Sequence, residues 1–110
     1  MKLLSVALAG FLAGVGLVSA DDTKEEWRVA AEQLVINDGA PFMDAFSSTS
    51  LSFWVTVRDD GSSRDGLAEY VCLLIGDVVP DGQSVIVTIW DGIAMATNEM
   101  VRLGRATCPD

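Results

Sequence analysis

Sixteen carboxylates, two cysteines and three tryptophans are the side chains through which this 110-residue chain could do chemistry or binding. The carboxylates lead by number. Asp59, Asp60 and Asp65 share one stretch with Gly61 and Gly66, DDGSSRDG. A calcium loop sets oxygen ligands at alternate positions and closes on a glutamate. Here Ser62 and Arg64 follow Asp60, and no glutamate falls at the closing position. A solvated loop is expected, and no metal site. Acid–base hydrolysis needs two carboxyls facing each other across a cleft, and spacing along a chain does not establish that. Asp91, at the end of the apolar run SVIVTIWD, is read as the cap of a following helix.

Nucleophilic catalysis finds little footing. The chain has no histidine, so a Ser–His or Cys–His pair is excluded. Lys24 is the only lysine after residue 20, and neither G-x-S-x-G nor a glycine-rich phosphate loop occurs. Cys72 and Cys108 are too far apart for a C-x-x-C redox motif. Two cysteines without histidine also fall short of the four ligands of a structural zinc site. No cofactor is expected.

The first twenty residues explain the cysteines. Lys2 supplies a positive start, Leu3 to Val18 is an apolar run of 16 residues, and Val18-Ser19-Ala20 precedes Asp21-Asp22. This is the pattern of an export signal cleaved after Ala20. A retained membrane anchor is the competing reading, but a spanning helix needs roughly 20 apolar residues. We therefore expect a signal peptide at 1–20 and one small globular domain at 21–110, periplasmic or extracellular. In that oxidising setting Cys72 and Cys108 are expected to pair. Loss of Lys2 leaves 6 basic against 16 acidic residues, a net charge of −10. Phosphate backbones and anionic lipid surfaces repel such a domain, so neither nucleic acid nor membrane is an expected partner of the cleaved protein.

The elements that must position these residues are read from periodicity. Asp21 to Val35 predicts a helix, with Asp22 or Thr23 as cap and Trp27, Ala30, Ala31, Leu34 and Val35 as its apolar stripe. Glu25, Arg28 and Glu32 fall off that stripe, and Gly39 or Asn37 suits a left-handed end. Pro41 to Ser50 reads as an irregular connection. Leu51 to Asp59 alternates as a strand. Leu67 to Ile75 is apolar on both faces and is read as a covered central strand in preference to a buried helix. Ser84 to Asp91 is a β-branched strand. Residues 93–105 are read as a helix in preference to a fourth strand near Glu99 to Leu103. The expected fold is α+β: an N-terminal helix on a three-stranded antiparallel meander, with a short C-terminal helix. The bridge would then pin the tail to the second strand.

Trp27 and Trp90 fall in apolar patterns and are expected in the core. Trp54 shares a strand face with Ser52, Thr56 and Arg58, opposite Leu51, Phe53, Val55 and Val57. An aromatic beside an arginine is a common interface anchor, so Ser52, Trp54, Thr56 and Arg58 form the candidate binding surface. The competing expectation is that the C-terminal helix covers Trp54. The favoured function is a non-enzymatic accessory module that binds a protein or small ligand. A small carboxylate-dependent hydrolase or lyase, and a self-associating structural envelope protein, are the alternatives.

Overall fold

A computed structural model of the chain describes residues 24–109. The expected export signal at 1–20 with its expected cleavage site, and the expected cap residues Asp22 and Thr23, lie outside the described residues. Helix α1 (Glu26–Asp38) is followed by strands β1 (Phe42–Thr49) and β2 (Ser52–Val57). Helix α2 (Asp65–Ile75), strand β3 (Val85–Asp91), the single-turn helix α3 (Gly92–Met95) and strand β4 (Arg102–Cys108) complete the order. The sheet runs β1-β2-β3-β4. β1 and β4 are antiparallel to their neighbours, whereas β2 and β3 are parallel. The class is α+β, but the sheet is four-stranded and mixed instead of a three-stranded antiparallel meander.

Three segments account for the difference. LAEYVCLLI is helix α2, not a strand. Ala68, Val71, Cys72 and Ile75 recur at helical spacing and are buried, whereas Leu73 on the other side is 77% exposed. A helix here also fits the topology, because two parallel strands need a crossover between them. Phe42–Thr49 is a strand, not an irregular connection; it pairs with β2 across Ser50 and Leu51, with register shifts at each end. Residues 93–105 hold one helical turn and then β4, not a helix throughout. Asp91 Oδ1 accepts from the N–H groups of Ile93 and Ala94 and caps that turn, and Asn98 at φ 67° leads the chain out of it.

One helical layer covers one face of the sheet. α1 contributes Ala31 and Val35 to the core, and α2 contributes its buried stripe. The sheet answers with Phe53, Val55 and Val57 from β2 and Val85, Val87 and Ile89 from β3. Trp27 packs against this core as expected, while Leu34 of the expected stripe is exposed. α1 starts at Glu26 with no side-chain cap, and Gly39 beyond its end takes a positive φ of 85°. Cys72 and Cys108 form the expected disulfide, with Cα atoms 5.4 Å apart. The bridge joins α2 to the end of β4, so it ties the helical layer to an outer strand.

Both outer strands have part of their free edge occupied. On β1, the Ser47 N–H donates to Glu32 Oε2 at 2.7 Å. Arg28 donates to the Ser47 carbonyl at 3.0 Å and to its hydroxyl at 2.7 Å. These are the polar α1 residues that fall outside the apolar stripe. On β4, the Arg64 N–H donates to the Leu103 carbonyl at 2.9 Å, and the Arg105 N–H donates to Asp65 Oδ1 at 2.9 Å. Gly104 between them is buried, and a Cβ there would lie 2.2 Å from the Arg64 carbonyl carbon. Glycine is required at this close approach of two backbones.

Candidate ligand-binding face

Strand pairing arranges the face of the sheet opposite the helices in rows, because directly paired residues share a face. One row runs Phe46, Trp54, Thr88, Arg105. The next runs Asp44, Thr56, Trp90, Arg102. Trp54 and Trp90 are diagonal neighbours. Their rings meet edge to face, with centroids 5.4 Å apart and planes at 66°, the arrangement that ring quadrupoles favour. Phe46 beside them is 52% exposed.

Ser52, Trp54 and Thr56 lie half-buried on this outer face, and Arg58 is exposed just past the end of β2. Trp90 is the correction: it is not in the core but half-buried on the outer face, and its Nε1 is enclosed without an acceptor. No long C-terminal helix covers Trp54. The single turn α3 brings only Met95 to it, and Asp44, Phe46, Trp54, Thr56 and Met95 line a groove of about 380 Å³. At the margin, Lys24 Nζ stands 4.2 Å from the centre of the Phe46 ring and pairs with Glu32.

Charge is distributed unevenly around the groove. Among the described residues, Lys24, Arg28 and Arg64 have carboxylate partners. Arg58, Arg102 and Arg105 have none and are exposed. Two of these three end the rows on β4, while Asp44 begins a row on β1. Arg58 lines a separate cleft of about 510 Å³ with Met43, Asp60 and Arg64. Hydrogen bonds from the Ser62 hydroxyl and N–H hold the Asp60 carboxyl below its ordinary range, aided by the Arg64 charge.

The DDGSSRDG carboxylates serve local structure. Asp59 accepts from the Gly61 N–H, Asp60 from Ser62, and Asp65 from Arg105. Among the described residues, no cluster of three metal-ligating side chains occurs. None of their helices is long and apolar enough to cross a membrane.

Sequence periodicity misses Phe46, Trp90, Arg102 and Arg105 as members of this face. The available signal in β1 is Ala45-Phe46-Ser47, a strand whose small residues point inward and whose aromatic points out. No protein-family model, curated protein or solved structure matches the chain.

Proposed function

We propose that this is an exported, non-enzymatic docking module whose outer sheet face seats a partner protein. The observation that carries the reading is the grouping of Phe46, Trp54 and Trp90 on a sheet face without a helical layer. Aromatic and arginine side chains are the residues that interfaces enrich at their energetic centres. A groove walled by Trp54, Phe46 and Met95 takes an apolar side chain, and the unpaired Arg102 and Arg105 across the same face on β4 receive carboxylates. The disulfide accords with the oxidising compartment that an export signal implies.

Trp54→Ala tests this reading. A tryptophan engaged mainly with Trp90 contributes about 0.5–1.5 kcal/mol to the fold through that contact. The expected outcome is a melting temperature within about 10 °C of wild type, together with loss of partner capture by the immobilised domain. A core tryptophan would cost about 3–5 kcal/mol on truncation. A fall in melting temperature of more than roughly 15 °C would therefore assign Trp54 to the fold and end the proposal.

A further inference from the structure

We infer that the outer face pairs with the outer face of a second copy of this chain, about a two-fold axis parallel to the strands. The inference rests on the docking role proposed above and names its partner. Consider the row Asp44, Thr56, Trp90, Arg102. Neighbouring strands lie about 4.8 Å apart, so its charged ends are separated by about 14 Å across the sheet. A two-fold axis along the strand direction reverses the order of the strands and leaves position along them unchanged. β1 of one copy then lies over β4 of the other.

Each row meets its own reverse. Asp44 faces Arg102 of the second copy, and Arg102 faces its Asp44. Phe46 faces Arg105 of the second copy, which sets a guanidinium over an aromatic ring. Trp54 comes over the β3 position of Thr88, itself buried in the single chain, Trp90 meets Thr56, and the two edge-to-face tryptophan pairs come together at the centre. This is the self-complementarity an isologous interface demands: if residue i touches j, then j touches i. An axis across the strands would instead set β1 over β1 and the arginines of β4 over each other.

Net charge confines the contact to this face. Two copies, at −9 each for the full chain and −10 after the expected cleavage, repel over most of their surfaces. Arg102 and Arg105 are two of the three arginines without an ion pair among the described residues. Among the described residues Asp44, on the opposite side of the same face, has no ion pair either, and its Oδ1 accepts from the neighbouring Ala45 N–H. The groove beside Trp54 adds apolar surface from Phe46 and Met95 on the β1–β2 half of the face, where Asp44 lines it, and Arg102 and Arg105 stand across the sheet on β4.

Sedimentation velocity on the exported protein, with the disulfide intact, provides the test. Wild type is expected to sediment as a dimer at concentrations near 100 µM. Asp44→Arg, and separately Arg102→Asp, each juxtapose like charges and should weaken the dimer by about a hundredfold. Combining the two changes restores opposite charges across the two-fold, and the dimer should return. Mixing the two charge-altered proteins should yield a heterodimer while neither pairs with itself. Near-UV circular dichroism confirms that each protein is folded, and Phe46→Asp serves as a second disrupting variant.

Four results overturn the inference. Wild type is monomeric throughout; the dimer survives both Asp44→Arg and Phe46→Asp; the combined variant stays monomeric; or the mixture fails to pair. A monomeric wild type whose Trp54→Ala form melts normally but no longer captures a partner would reject self-pairing and leave the docking face standing. A large loss of melting temperature in Trp54→Ala would reject the face itself.

Discussion

Replacing Gly104 with alanine adds one carbon at a point where two stretches of backbone touch. The new Cβ would lie 2.2 Å from the Arg64 carbonyl carbon, 2.4 Å from its oxygen and 2.6 Å from the Asp65 nitrogen. Ordinary carbon contacts begin near about 3.5 Å, so the two segments must part by more than an ångström. No side chain can rotate aside, because every obstructing atom is backbone. The separation breaks the Arg64 N–H to Leu103 bond and strains the Arg105 N–H to Asp65 bond. The neutral bond is worth about 1 kcal/mol and the one to a carboxylate about 1.5–3 kcal/mol. Forced overpacking adds about 1–3 kcal/mol, and the reduced freedom of the unfolded chain returns about 0.4–1 kcal/mol. The net cost is about 3–6 kcal/mol. For a domain of this size that lowers the melting temperature by roughly 15 °C or more. Thermal unfolding followed by near-UV circular dichroism measures it. A melting temperature within about 3 °C of wild type would refute the seating of Arg64 and Asp65 on β4.

Gly66→Ala makes a contrast two residues from Arg64. Gly66 lies in the first turn of α2, and a Cβ added to it would meet nothing within 4 Å, so alanine should raise stability by about 0.5–1 kcal/mol; a fall in melting temperature would contradict the helix. Removing the disulfide as Cys72→Ser with Cys108→Ser opens a loop spanning 36 residues of sequence separation. The chain-entropy cost is about 4 kcal/mol, read as a lower midpoint in urea, and an unchanged midpoint would show that the bridge does not constrain the unfolded chain.

The elements legible in the sequence are those that bury large residues at a regular period. β2 alternates Phe53, Val55 and Val57 against Ser52, Trp54 and Thr56, and β3 does the same with Val85, Val87 and Ile89. β1 and β4 carry the inverse code. Their inward positions include Ala45, Ser47, Gly104, Ala106 and Cys108, because helices and backbone approach closely there, and their outward positions hold Phe46 and Arg105. Alternation of small against large does not register as alternation of apolar against polar. α2 is obscured for a different reason: Leu73 is apolar yet exposed, so the amphipathic period blurs into a continuous run. The candidate face is half legible as a result. Trp54 can be placed from β2 alone, whereas Trp90 reads as inward because a dense apolar strand looks covered on both sides.

The occupied edges of β1 and β4 bear on how far association can proceed. A sheet with bare margins can recruit strand after strand and grow into a fibre. Here Arg28 and Glu32 hold the Ser47 peptide groups, and the Arg64–Asp65 segment holds those of β4. At these positions an incoming strand finds the hydrogen-bonding groups of both outer strands already taken, whereas no helical layer covers the broad aromatic face. Contact through one face is used up by a single encounter. Pairing through that face, as inferred above, would therefore end at a finite stoichiometry instead of propagating along the sheet.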